Sequence, residues 1–267
     1  MLEGETGLCR LAPYRETGPG LTAFDASLDT RFARKDTPMR AEDVPEMRKL
    51  PLFSGMQQDN FEALSRCAYV QTFPPQLDLI SEGEPSDFLH ILVEGRVELL
   101  ASWKRNETIL TLVPPLSTFI LAATIRDAPY LMSARTIDRS RVVLLPSEDV
   151  RRVFETDNAF ARGVVAELAQ CYHGVVRHAK ELKLRTSMER LANYILRQSR
   201  GQTEFELDIE KTRLASYLNM TAENLSRSIR ALQPYGVKIT GANVTIEAPA
   251  ELKRFAKPSQ LIDDSSN

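Results

Sequence analysis

The sequence predicts an α+β chain of three parts in order: an antiparallel β-roll, a long dimerisation helix and a winged helix-turn-helix. Three observations carry this. Short strand-like runs alternate with turn chemistry between Leu50 and Leu145, and apolar residues recur at helical spacing from Asp149 to Lys183. From Lys211 to Ile246 a short helix, a tight turn, an amphipathic helix and a hairpin follow one another.

The roll, placed at 47–148, is read from Tyr69–Phe73, Leu77–Ser81, Phe88–Val93, Arg96–Leu100, Thr108–Val113 and Arg141–Leu145. Pro74-Pro75, Gly83-Glu84-Pro85 and Glu94-Gly95 separate these runs, supplying the fixed and positive φ angles that reverse a chain. Such a pattern describes a binding container rather than a parallel-sheet enzyme. Residues 1–46, with Gly18-Pro19-Gly20, many charges and little periodicity, read either as a poorly ordered extension or as a small interaction arm. Met39 leaves a later start codon open as well.

The helix is placed at 149–183. Val164, Leu168, Cys171, Val175, His178 and Leu182 recur at alternating spacings of four and three, the seam of a coiled coil, so the helix is expected to pair with its copy in a homodimer.

Thr186-Ser187-Met188-Glu189 reads as a capping box that opens the next domain, placed at 184–250 with 251–267 as a tail. Met188, Leu191, Ala192, Ile195 and Leu196 form one apolar stripe on its first helix. Leu214, Ala215 and Leu218 then pack inward from a supporting helix, Asn219 tolerates the left-handed turn, and Thr221 caps the helix after it. At about 100° per residue, Glu223, Ser226, Arg227 and Arg230 share one face of that helix, and Leu225, Ile229 and Leu232 share the other. Pro234 and Gly236 stop it, and Val237–Thr240 and Val244–Ile246 alternate around Gly241-Ala242-Asn243 as a wing. A polar helix face is ordinarily just solvated. Supporting helix, turn, second helix and wing together favour DNA reading.

Composition sets outer limits. With 267 residues, 43% hydrophobic and 26% charged, the chain is globular and long enough for two domains. No apolar run approaches the roughly 18 residues of a membrane span. The segment MLEGETGLCR lacks the basic and apolar regions of a signal peptide, so a cytoplasmic protein without a membrane partner is expected. Cys9, Cys67 and Cys171 are odd in number and far apart, which argues against a disulfide framework or a CxxC metal site. The formal net charge is -2, yet Lys180 to Arg230 carries ten positive against seven negative residues, a locally basic stretch. No phosphate loop, nucleophile elbow or paired-His motif is present, so no enzyme activity is expected.

Two stretches carry a resemblance over about residues 47–250. ISEGEPSDFLHILVEGRVELL looks like the paired strands of a cyclic-nucleotide-binding β-roll, and RLASYLNMTAENLSRSIRAL resembles the DNA-binding motif of the CRP/FNR family of bacterial transcription regulators. The resemblance implies a homodimeric regulator that binds double-stranded DNA; activation would also require contact with RNA polymerase, and whether the protein is an activator or a repressor stays open. Glu223-Asn224-Leu225-Ser226-Arg227 resembles the E-x-x-S-R pattern of the FNR branch, and Ala222 stands where the cAMP-responsive branch carries Arg. The implied target is an inverted repeat, TTGAT followed by ATCAA. Arg227 would donate to guanine O6 and N7, Glu223 accept from a cytosine amine, and Ser226 do either. Lys211, Arg213, Thr221, Asn224 and Arg230 are expected on the DNA backbone.

The sensor departs from its relatives. Phe119-Ile120-Leu121 and Met132 stand where the family's nucleotide receptors carry Gly-Glu and Arg. A buried phosphate without a cation is costly, so cAMP control by the usual contacts is not expected, and Arg126 or Arg135 would substitute only by an unusual geometry. Three scattered cysteines cannot supply all-Cys ligation of an iron–sulfur cluster from one subunit. Haem stays open, although structural or solvent-facing roles are favoured for His90, His173 and His178. Cys171 is read as an apolar filler, with a redox bridge between copies as the sharper alternative and a repelling His178 pair as its acid counterpart. A hydrophobic ligand, or control by abundance, also stays open. The competing function is a sensor or interaction module, for haem and nitric oxide or for redox, with DNA binding secondary.

Overall fold

The computed structural model describes residues 37–38, 44–104 and 106–263. The expected extension therefore lies almost wholly outside the described residues. A short strand, β1 (Thr37–Pro38), precedes three helices, α1 (Val44–Lys49), α2 (Pro51–Ser54) and α3 (Gln58–Cys67). The roll follows as β2 (Tyr69–Phe73), β3 (Asp78–Ile80), β4 (Phe88–Glu94), β5 (Val97–Trp103), β6 (Asn106–Val113), β7 (Ser117–Phe119), helix α4 (Leu121–Arg126), β8 (Ser133–Thr136) and β9 (Ser140–Pro146). One sheet has the order β1-β2-β9-β4-β7, the other β3-β8-β5-β6, and their pairings are antiparallel. All six strands expected from the runs between turns are present. Helices α1 to α4 and strands β1, β7 and β8 are additions.

Strand β4 separates two cores. Leu89, Ile91 and Val93 face the helices, where Phe53 stacks on Phe160 at 5.7 Å, and Leu92 faces the roll interior with Val97, Leu99, Phe119 and Val142. A side-chain period of two is what lets one strand serve both. The β4–β5 turn requires Gly95, which has φ +87 and where a Cβ would meet the Arg139 carbonyl at 2.6 Å.

On the interior side, buried His90 lies 5.2 Å from the Phe119 ring and 6.3 Å from Tyr130, and its Nδ1 has no hydrogen-bond partner among the described residues. Burial lowers its pKa from 6.5 to about 4, against a smaller opposing effect of a backbone hydrogen bond at Phe88. An unfolded histidine takes up its proton near 6.5 and the folded one only near 4, so the unfolded state binds more protons between those values. Stability should therefore fall as pH drops through this window, by up to about 3 kcal/mol. Urea midpoints at pH 7 and pH 4.5 should show this loss, and His90→Leu should reduce it; an equal loss in the variant would exclude His90 as its source.

The long helix expected over 149–183 is two helices, α5 (Ser147–Thr156) and α6 (Asn158–Leu184). The break is Asp157, extended at φ -113 and ψ 101, whose carboxylate accepts from the backbone nitrogens of Ala159 and Phe160 at 2.9 and 3.0 Å. It also accepts from Gln57 N and Asn60 Nδ2, tying α3 to the start of α6. An N-cap inside a continuous apolar pattern is invisible to periodicity.

The second domain contains α7 (Ser187–Ser199), β10 (Glu204–Glu206), α8 (Lys211–Tyr217), α9 (Ala222–Ala231), a 3-10 turn over Gln233–Tyr235, β11 (Val237–Thr240), β12 (Asn243–Ile246), α10 (Pro249–Ala256) and α11 (Gln260–Asp263). Its sheet runs β10-β12-β11, so the wing gains a third strand. The capping box is present: Thr186 Oγ1 accepts from Glu189 N, and the Glu189 carboxylate accepts from Thr186 N at 2.8 Å. Residues 251–263, expected as a tail, hold structure: α10 inserts Leu252 and Ala256 into the core, and Asn193 Nδ2 donates to Ala256 O at 2.7 Å. At the end of α11, Asp263 accepts from Arg185 at 2.6 and 2.5 Å and from Arg197 at 2.9 Å. Arg197 also reaches buried Glu181 at 3.1 Å. Two cations and two carboxylates thus pair around the joint between α6 and α7.

Candidate DNA interface

Helix α9 is held from behind and at its start. Leu225 and Leu232 are buried in a core with Leu191, Ile195, Leu214, Ala215 and Leu218, which fixes the helix against α7 and α8. Asn219 takes the left-handed conformation at φ 51, Met220 N donates back to Ala215 O at 2.9 Å, and Thr221 Oγ1 accepts from Asn224 N at 3.2 Å. These contacts set the angle between α8 and α9.

A residue that sequence reasoning counted only as charge completes the turn. Arg190, on α7 and 7% exposed, donates through Nε to Leu218 O at 2.9 Å, through Nη2 to Asn219 O at 3.1 Å and through Nη1 to Arg185 O at 2.9 Å. Carbonyls of a left-handed turn have no helical partner, and a planar guanidinium supplies several donors in fixed directions. Its position beside the apolar stripe of Leu191, Ala192 and Ile195 was the available signal.

The outward face of α9 is open. Glu223, Ser226, Arg227 and Arg230 are all exposed and, spaced three, one and three apart, lie on one side. The Glu223 carboxyl is held below its usual range by its own backbone amide and the Thr221 hydroxyl, with Arg227 adding a smaller effect, so it stays an acceptor. Ser226 Oγ donates back to Ala222 O at 3.0 Å. Lys211 and Thr221 are exposed nearby.

Two residues expected on the DNA backbone have partners within the chain. Asn224 is half-buried and donates through Nδ2 to Ser187 Oγ at 3.2 Å. Arg213 is turned toward the roll, where its Nε meets Glu98 at 2.9 Å, and its Nη1 and Nη2 reach Glu210 and Gln76. Both depend on tertiary neighbours that a local pattern does not contain.

The residues of the expected seam divide. Val164 is fully buried in the chain's own core, Leu168 packs at that core's edge, Cys171 and Val175 are exposed, and Leu182 is half-buried. His178 is half-buried with its ring 6.1 Å from Tyr217 of α8, so it faces the second domain of its own chain. Burial lowers its pKa, with Glu181 opposing and Arg197 and Arg190 assisting. Although Cys171 is an exposed residue, partial desolvation of its sulfur, followed by Glu167, pushes the thiol up, away from the reactive thiolate.

In the roll, the side chains standing in place of the nucleotide contacts are apolar: Phe119 is buried in the interior core with Met132 packed against it, and Leu121 is buried on the helix side of the roll. Ile120 holds a left-handed conformation at φ 62, which a β-branched residue adopts only under strain. Arg135 is engaged by Asp78 at 2.6 Å and Glu107 at 2.8 Å, and Arg126 is exposed. Among the described residues no helix is long and apolar enough to cross a membrane.

A β-roll joined through a long helix to a winged helix-turn-helix with an open polar face on its second helix is the architecture of a two-domain DNA-binding regulator. Residues 70–157 match the cyclic nucleotide-binding domain, and residues 189–255 match the Crp-like helix-turn-helix domain. These two domains, in this order, support a CRP/FNR-type transcriptional regulator. It is 21% identical over 215 residues to the CRP-like cAMP-activated global transcriptional regulator of Mycobacterium tuberculosis, covering 77% of this chain and 96% of that one. The same fold occurs in FixK2 of Bradyrhizobium japonicum, with 20% identity, 72% of this chain and 98% of that one covered, and a TM-score of 0.62. It occurs also in a crp/fnr-family regulator of Eubacterium rectale, with 16% identity, coverages of 78% and 98%, and a TM-score of 0.65.

Proposed function

We propose that this protein is a homodimeric, sequence-specific regulator of transcription that reads an inverted repeat of the TTGAT and ATCAA type through α9. The observation that carries the reading is the exposed line of Glu223, Ser226, Arg227 and Arg230 on a helix whose opposite face and first turn are fixed. Arg227 is the guanine reader, Glu223 the cytosine reader and Ser226 an adaptable third, with Lys211, Thr221 and Arg230 on phosphates. An activator acting this way also contacts RNA polymerase.

The dimer seam in this reading is the exposed line of α6: Val165, Tyr172 and Val175 lie in the open with Leu168 between them, continued by Ala179. Their spacings of three and four give a heptad register one residue away from Val164 and His178. Replacing Tyr172 and Val175 with glutamate should convert the protein to a monomer in sedimentation equilibrium; a dimer that persists would place the seam elsewhere.

The signal is proposed to be something other than cAMP held by the usual contacts, in keeping with the apolar Phe119, Leu121 and Met132 and the engaged Arg135. Fluorescence anisotropy of an inverted-repeat duplex against a scrambled one, with and without cAMP, tests both parts. Preference for the repeat independent of cAMP is expected. Equal binding to both duplexes would remove the sequence-specific reading, and a large cAMP effect would remove the second part.

A further inference from the structure

The two domains meet along one face of the roll, and that meeting uses up a cation of the DNA-binding domain. Glu98 of β5 is 3% exposed and receives Arg213 Nε of α8 at 2.9 Å. Glu98 stands opposite Arg135 in the β5–β8 register, yet that arginine is taken by Asp78 and Glu107. Alongside, Ile109 N of β6 donates to Ser216 Oγ of α8 at 3.0 Å, and Leu112 of β6 packs on the second domain's core. Further along, Arg96 of the roll donates to the Asp208 carbonyl. A charged, a polar and an apolar contact thus seat the same short helix on the same sheet.

In a helix-turn-helix the first helix crosses the DNA backbone, which is where Arg213 would meet a phosphate. Three of the five N–H donors of Arg213 already go to Glu98, Glu210 and Gln76, and its side chain is only 16% exposed against the roll, so a full grip on a phosphate requires it to leave Glu98. We propose that the Glu98 face of the β5–β6 hairpin is an autoinhibitory seat for α8 that competes with DNA phosphate for Arg213. The reading face of α9 stays exposed in this seated state, so the seat weakens grip on the backbone without hiding the base-reading residues. Release of the seat is the point at which a signal in the roll would act on DNA affinity, because the equilibrium between seated and free α8 is biased by both. This inference rests on the proposed DNA binding, but on its phosphate contacts and not on its base contacts.

The test is a double-mutant cycle on the full chain, read by anisotropy at one fixed salt concentration with repeat and scrambled duplexes. Glu98→Gln should tighten binding to both duplexes about fivefold or more, the lower end of ordinary coupling between sites, because phosphate contacts carry no sequence information. Ser216→Ala, which removes an independent contact of the seat, should shift affinity in the same direction and decides the matter if the Glu98 variant does not fold. In an Arg213→Ala background the gain from Glu98→Gln should vanish. Unchanged or weaker binding by Glu98→Gln and Ser216→Ala, or a gain that survives without Arg213, would overturn the seat. Failure of the base-reading assignment shows differently: repeat and scramble would bind alike in every variant.

Discussion

Replacing Arg227 with alanine is expected to weaken binding to the inverted repeat by about 30-fold or more while leaving binding to a scrambled duplex little changed. A bidentate arginine–guanine pair is worth about 1–3 kcal/mol of discrimination, and a two-fold dimer loses it twice, so the total is about 2–6 kcal/mol. Arg227 is exposed, and the stability of the fold should stay within about 0.5 kcal/mol of the parent. Titration of both duplexes with wild type and variant measures the ratio. Retained preference for the repeat would take Arg227 out of the reading set. Glu223→Gln should act more narrowly, relaxing selection at the cytosine position.

The second large effect is on structure. Arg190→Met should destabilise the DNA-binding domain by about 2 kcal/mol, because the buried carbonyl of Leu218 loses a donor worth about 1–3 kcal/mol and the Asn219 carbonyl, at an exposed residue, turns to water at a smaller cost. Methionine keeps much of the apolar stem, so the loss reports the guanidinium. Arg190→Lys should recover only part of it, since one ammonium cannot serve carbonyls lying in different directions. Differential scanning calorimetry would show the second domain melting earlier. A melt unchanged in both variants would mean that the turn stands without Arg190. Since the turn sets the angle of α9, the methionine variant should also lose repeat binding below its new melting point, through altered helix placement rather than lost base contacts.

What could be read from the sequence was what is local. Tyr69–Phe73 is a short strand-like run ended by Pro74-Pro75 and is a strand with those bounds; Thr186 and Glu189 form the capping box that their spacing implies; Asn219 is left-handed and Thr221 caps α9. Each depends on neighbours within four residues. Strands β7 and β8, with three and four residues, are too short to show alternation, and α1 and α2, with six and four residues separated by Leu50 and ended at Gly55, are shorter than a clear helical repeat.

Partner identity was the other illegible quantity. Val164 and Val165 are both apolar residues of α6, and periodicity cannot tell which faces the chain's own Phe160 and which faces outward. Likewise the polar residues of α8 and α9 were visible as a group, but only the folded chain shows Arg213 on Glu98, Asn224 on Ser187 and Arg227 in the open. The missed Arg190 belongs to the same class, because its value comes from carbonyls 28 and 29 residues away.

The central claim is that two copies of α9, related by a two-fold axis, read two half-sites on one face of DNA. Half-sites one turn apart, roughly 34 Å, satisfy both helices, and inserting about half a turn of base pairs between them rotates one to the far side. The deciding measurement is the affinity of the full chain for the parent repeat and for the same repeat lengthened by five base pairs. The account predicts that the insertion reduces affinity to that of a duplex with a single half-site. Equal affinity for the parent and lengthened repeats would contradict it.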